Sequence, residues 1–179
     1  MAQHPRAFAR LMICLAAVVT GFATNARADE LLCPGLESAL SAPPGTGHRE
    51  VFLSNYTHHW THSEEHRRVR AMSVQQNLAE NRFCGLSLFT NSFGQPSMYL
   101  YVGKTWPRPI PAIPKLYASL SGGLLYGYVR PYQNKVPLNF GGFSPGLVPT
   151  VGYQITPQVS LQTQWLGLAA VMVGASLRY

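Results

Sequence analysis

The sequence predicts an all-β protein, an eight-stranded antiparallel transmembrane β-barrel, preceded by a short N-terminal periplasmic helix. Three observations carry that expectation. The chain opens like an export signal, it holds few charges without any membrane-length apolar run, and its apolar residues alternate with a period of two.

The signal comes first. Arg6 and Arg10 form a basic start, and residues 11–23 are apolar but far too short to cross a bilayer, which takes about 20 helical residues. Ala26-Arg27-Ala28 is a small-x-small cleavage site, so the mature chain is expected to begin at Asp29. Cys14 lies within the apolar stretch behind Ile13, which lacks the small side chain of a lipoprotein site, and is expected to leave with the signal. The expected organisation is a signal peptide over 1–28, a periplasmic segment over 29–49 and a barrel over 50–179. In the middle segment Leu31, Leu32, Leu36 and Leu40 line one side of a short helix that Pro43-Pro44 ends; a clamp on the barrel and a loose leader are both open readings.

Charge supports the barrel. Charged residues are 12% of the chain and hydrophobic ones 46%, where a soluble domain carries roughly 25% charge. A closed sheet is the way to place such a chain in lipid without a helix, because it satisfies every backbone donor and acceptor. Removing three signal arginines from the net charge of +7 leaves +4, and no Asp or Glu follows Glu80. For an exported chain this excludes nucleic acid as partner and points to the phosphate-rich lipopolysaccharide surface of the outer membrane. A monomer without a cofactor is expected. Cys33 and Cys84 remain in the mature chain, and an oxidising periplasm permits a bridge between them. Both fall near the periplasmic rim, which favours the bridge over two separate buried thiols.

Alternation then sets the strands. At the C-terminus Val171, Val173, Ala175, Leu177 and Tyr179 oppose Met172, Gly174, Ser176 and Arg178, and the chain ends on an aromatic residue. Similar runs cover 50–60, 69–78, 83–93, 98–106, 115–128, 143–155 and 159–165, giving eight strands in all. Aromatic residues near strand ends, among them Tyr56, Trp60, Tyr99, Tyr101, Trp106, Tyr128 and Tyr153, are expected as interfacial girdles. The lumen faces mix Ser119, Ser121, Gln162 and Gln164 with Leu125, Leu166 and Met172, in a bore too narrow for an open pore.

With the N-terminus periplasmic, two polar features share the outer rim. One is His58-His59-Trp60-Thr61-His62 with Glu64, Glu65 and His66; the other is Asn91-Ser92. Alternation from Val51 and Leu53 sends His59 to one face of its strand and His58 to the other. A His beside a Ser is a general base with a hydroxyl, the minimum for acyl transfer. The four histidines show no metal-ligand spacing, so no metal is expected. A polar rim without chemistry is the plain alternative.

Leu88-Phe89-Thr90-Asn91-Ser92 resembles the F-x-D-S stretch of the lipid A palmitoyltransferase family (PagP). Gly127-Tyr128-Val129-Arg130 through Val136-Pro137-Leu138, then Val148-Pro149-Thr150-Val151-Gly152-Tyr153, is similar to that family's R…IPL…LP…SVGY run. Tyr56-Thr57-His58-His59 resembles the end of its first strand. The likeness covers about half of the mature chain. It implies an enzyme that moves palmitate from a phospholipid onto lipid A, with His59 as general acid or base, His58 beside it, and Ser92 as the hydroxyl. Asn91 stands where the family has Asp, and a neutral amide orients an imidazole without stabilising its cation. Glu64 and Glu65 are the nearby carboxylates that would replace it.

Pro145 and Pro149 fall in one strand, where missing N–H donors weaken the ladder; by the resemblance they mark a lateral gate for an acyl chain. Arg67, Arg68, Arg130 and Lys135 lie on outer loops, suited to lipid A phosphates. Two alternatives stand beside acyl transfer. One is a non-catalytic outer-membrane barrel, structural or surface-interacting; the other is a lipid A deacylase or phospholipase.

Overall fold

The computed structural model describes residues 47–179, together with Ser41 and Pro43. The expected signal peptide, the helix expected from Leu31 to Leu40 and Cys33 lie outside the described residues. Eight strands follow in order: β1 (Arg49–His59), β2 (Ala71–Asn77), β3 (Arg82–Thr90), β4 (Pro96–Pro107), β5 (Leu116–Tyr126), β6 (Phe143–Gln154), β7 (Val159–Leu166) and β8 (Ala170–Arg178). Each pairs antiparallel with its neighbour in the chain, and β8 pairs back onto β1 to close the barrel.

Alternation decides which side each residue takes. Leu53, Leu100, Leu124, Leu147, Leu161 and Leu177 stand exposed on the outer wall, an apolar band of the kind a bilayer requires. Tyr56 and Trp60 edge that band towards one rim, and Trp106, Tyr153 and Tyr179 towards the other, which also carries the C-terminus. The first is here called the loop rim and the second the terminal rim.

Tyr99 and Tyr101 depart from the girdle expectation: both are buried inside the barrel. The reason is steric. A narrow lumen must be filled, and the strands beside these rings carry glycines facing inward. A Cβ on Gly146 would lie 2.6 Å from the Tyr99 ring, and one on Gly85 would meet Tyr101 as closely. Bulk on one strand therefore fits against its absence on the next.

The lumen is graded from one rim to the other. Towards the loop rim Phe52, Val69, Ala71 and Met172 pack with Phe89 and Leu166, and a second cluster of Phe83, Tyr99 and Tyr101 with Phe89, Leu125 and Val148 runs from there along β3 and β4 to the terminal end. On the β1, β7 and β8 side of the terminal end the interior is polar. Glu50 accepts hydrogen bonds from Gln162 Nε2 at 2.6 Å and Arg178 Nε at 2.8 Å, and Gln162 also reaches Ser176 Oγ at 3.0 Å. Glu50 and Arg178 are register partners across the β1–β8 closure, so an ion pair sits on the seam that makes the sheet a barrel.

Two ladders stop short of the loop rim. The β1–β2 pairing ends at Ser54↔Ala71, and the β6–β7 pairing ends at Thr150↔Gln164. Residues 143–149, with Pro145 and Pro149 on the outer wall, thus pair with β5 but not with β7. Near the opposite rim Cys84 is disulfide-bonded, with its expected partner Cys33 outside the described residues.

Glu50→Ala removes the shared acceptor of Gln162 and Arg178 from a buried site. It should cost about 2–3 kcal/mol, the worth of hydrogen bonds to a charged group. A urea titration of the heat-modifiable folded band would read this as a lower midpoint. An unchanged midpoint would remove the ion pair from the interactions that hold the closure.

Candidate active site

The loop rim is where four loops meet. One follows β1, a tight turn over 91–95 joins β3 to β4, a long loop over 127–142 joins β5 to β6, and a turn over 167–169 joins β7 to β8. His59 is the last residue of β1 and Ser92 lies in the tight turn. They meet as a hydrogen-bonded pair, His59 Nε2 to Ser92 Oγ at 2.6 Å.

Strict alternation from Leu53 would have carried His59 to the outer wall. A β-bulge prevents it: opposite β8, Ser54 pairs with Gly174 and Tyr56 with Val173, so Asn55 is a surplus residue. Beyond the bulge the faces exchange. Tyr56, His58 and Trp60 point outward, while His59 turns to the inner side. Ser54 fastens the bulge, with its hydroxyl donating to the Val173 carbonyl at 2.7 Å and accepting from the Tyr56 N–H at 3.4 Å. Bulges recur beside active sites because they re-aim a side chain.

His58 therefore does not join the pair. It is exposed on the outer side, edge-on to Trp60 at 5.2 Å. Asn91 also departs from the expected role, because its side chain is fully engaged elsewhere. Its Oδ1 accepts the backbone N–H groups of Phe93 and Gln95, both at 3.0 Å. Its Nδ2 donates to the Gly127 carbonyl and to Gln95 Oε1, both at 3.2 Å. With 1% of its surface exposed, Asn91 is a strut of the turn and makes no hydrogen bond to His59. Nor does a glutamate replace the expected aspartate: Glu65 pairs with Lys135 at 3.7 Å, and among the described residues no carboxylate forms an ion pair with the imidazole.

What surrounds His59 is aromatic. The His66 ring lies 4.3 Å from it, and Phe93 stands edge-on to His66 at 5.9 Å. Phe93 in turn stacks on Tyr132 at 4.2 Å under the Lys135 ammonium, 5.3 Å from its ring centre. Three loops are thereby zipped together above the pair. Tyr128 was missed from the sequence as a member of this group. Its place in the alternation of β5 puts it outside, but Gly127, with φ +135, breaks the run and turns Tyr128 towards the cavity. There burial pushes its hydroxyl above the ordinary tyrosine value.

Below the pair the barrel holds a cavity of about 550 Å³, well inside the range of ~300–1,000 Å³ typical of ligand pockets. Ser92, Tyr128, Lys135 and Pro137 line its mouth, Phe89, Leu125, Val148 and Met172 its upper wall, and Glu50, Gln162 and Arg178 its floor. Pro145, Leu147 and Leu168 line it as well, which places the open end of the β6–β7 seam on its side. Of the four candidate cations, Lys135 reaches the cavity. Arg67 donates its backbone N–H to the Ser92 carbonyl at 2.7 Å, Arg68 Nε donates to the Asn55 carbonyl at 3.3 Å, and the exposed Arg130 accepts from Gln95 Nε2 through its carbonyl at 3.4 Å. No group of three or more metal-ligating side chains occurs among the described residues.

Comparison with known proteins reports on the fold. A de novo designed transmembrane β-barrel aligns with a TM-score of 0.55 and 14% identity over 77% of this chain and 98% of its own. The outer membrane protein Ail of Yersinia pestis aligns with a TM-score of 0.40 and 11% identity over 74% of this chain and 99% of its own. No family model matches the chain, and no curated protein matches it. The chain is thus an eight-stranded barrel of the transmembrane class. It carries a histidine–serine pair at the mouth of an internal cavity.

Because Asn55 is the surplus residue, its deletion should leave His58 outward and His59 inward. Diethyl pyrocarbonate should then still modify His58 faster than His59, as read by mass spectrometry. An exchange of the two reactivities would show that something other than the bulge aims His59.

Proposed function

We propose that this chain is an outer-membrane acyltransferase that moves a palmitoyl chain from a phospholipid to lipid A. The observation that carries the proposal is the 2.6 Å bond from His59 Nε2 to Ser92 Oγ where Ser92 lines an apolar-walled cavity. An imidazole beside a hydroxyl supplies a base and a nucleophile, and the cavity below gives a hydrocarbon chain somewhere to lie out of water. The export signal and the resemblance to the lipid A palmitoyltransferases support the same reading.

In the proposed reaction Ser92 Oγ attacks the donor ester carbonyl while its proton passes to His59 Nε2. The bond from the acyl carbon to the glycerol oxygen breaks, and His59 returns the proton to that oxygen, releasing a lysophospholipid. The acceptor hydroxyl then attacks the acyl-serine, gives its proton to His59, and Ser92 recovers that proton as it leaves. The β6–β7 seam, bounded by Pro145 and Pro149, is the proposed lateral entrance from the membrane, and Arg67, Arg68, Arg130 and Lys135 are the proposed phosphate contacts.

The polar floor around Glu50 favours a second reading, a barrel without catalysis whose lumen is simply packed. Mass spectrometry of lipid A from cells with and without the protein separates the readings. Acyl transfer predicts a gain of one palmitoyl group, which His59→Ala and Ser92→Ala each abolish while the barrel still folds. Loss of an acyl chain would mean hydrolysis instead, and an unchanged lipid A would leave the non-catalytic barrel.

A further inference from the structure

An imidazole that takes a proton from a hydroxyl must be held in one orientation, a task that a carboxylate on its other nitrogen performs in serine triads. Here no carboxylate forms an ion pair with His59 among the described residues, and the Asn91 amide is spent on its own turn. What the ring does touch, apart from Ser92 Oγ, is a second ring. The His66 imidazole lies 4.3 Å away between centroids, with 33° between the two planes.

His66 belongs to the loop after β1, where His62 is exposed and His66 is half-buried. Three consecutive residues of that loop each take a different neighbour. Glu65 pairs with Lys135 of the long loop at 3.7 Å. His66 faces His59 and meets Phe93 edge-on at 5.9 Å, and Phe93 is itself backed by Tyr132, stacked at 4.2 Å. Arg67 donates its backbone N–H to the Ser92 carbonyl at 2.7 Å, and the His66 N–H donates to the Ser63 carbonyl at 3.0 Å. The short run that carries the second ring is therefore anchored to the residue that carries the hydroxyl. It touches both members of the pair at once.

We propose that His66 is a positioning residue for His59: its ring packs against the reactive imidazole and, anchored through Arg67 to Ser92, holds Nε2 on the serine oxygen without an orienting carboxylate. The torsion that turns a histidine ring about its own stem is broad and soft, so an imidazole at a strand end needs an external stop. A neighbouring ring supplies one by contact, fixing the plane of the imidazole before any proton moves. The Arg67 bond sets where that stop stands relative to Ser92. This rests on the acyl-transfer reading only in taking His59 and Ser92 as the reacting pair.

The test uses the full chain purified from membranes into detergent micelles and a single-tailed alkyl fluorophosphonate. Ser92 Oγ forms a bond to phosphorus, the phosphorus–fluorine bond breaks, fluoride leaves, and the serine proton goes to His59. The wild-type protein should be labelled on Ser92 and His59→Ala should not. His66→Ala should lower the maximal labelling rate roughly fivefold, the worth of one ring contact, while leaving the half-saturating probe concentration and the heat-modifiable mobility unchanged. His66→Phe, which keeps a ring and gives up its nitrogens, should restore the rate to near the wild-type value. A merely structural role for His66 would move the mobility or the half-saturating concentration instead. Independently of any variant, proton NMR of the wild-type protein should show through-space contacts between the His59 and His66 rings. Equal maximal rates in His66→Ala and wild type, a His66→Phe as slow as His66→Ala, no ring-to-ring contacts, or no labelling of wild-type Ser92 would each overturn the proposal. Unchanged lipid A with His66-dependent labelling would sink the acyl-transfer reading and keep this one; palmitoylated lipid A with His66-independent labelling would do the reverse.

Discussion

In lipid a backbone has only itself to bond with, so the sheet must close, and closure fixes a strict alternation of inward and outward side chains. Every other feature of this molecule is arranged on that constraint. The outer band of leucines obeys it, and so do the rings that fill the lumen against inward-facing glycines. The rim chemistry depends on two places where alternation is broken. The surplus Asn55 turns His59 inward, and Gly127, in a backbone conformation that favours glycine, turns Tyr128 inward. Ser92, already in a turn, needs no such device. His59 meets Ser92, and Tyr128 lines the same cavity mouth as Ser92, because two segments go out of step with the alternation.

The graded lumen gives those devices a purpose. An apolar chamber beneath Ser92 and a polar floor at Glu50 give the two ends of the cavity different environments. The floor costs little, since its carboxylate is matched by Arg178 and Gln162 at short range, and a paired buried charge is tolerable where a lone one is not. The same pair ties β1 to β8, so closure and the bottom of the cavity are one structure. At the other end the ladders between β1 and β2 and between β6 and β7 stop early, leaving the upper chamber less tightly walled than the lower.

Much of this was legible in the residues. The eight strands fall within a few positions of the expected runs, because period two is a strong signal when one face meets lipid and the other a filled bore. His59 and Ser92 could be named from their residue types and their shared rim. Their alignment could not, because a bulge leaves no mark on a single sequence and simple counting from Leu53 points His59 the wrong way. Tyr99, Tyr101 and Tyr128 read as girdle residues for a related reason. An aromatic ring near a strand end suits either face, and only the neighbouring strand's glycines or a broken alternation decides between them. Asn91 reads as a defective aspartate until its four hydrogen bonds are seen, each spent on the turn.

The central claim is that His59 faces inward and holds Ser92 through Nε2. Nitrogen-15 NMR of the His59 imidazole in lipid bilayers tests it most directly, with Ser92→Ala as the comparison. The account predicts a neutral ring whose Nε2 accepts a hydrogen bond, with a resonance that shifts when the serine hydroxyl is removed. An Nε2 signal indifferent to Ser92→Ala would contradict it.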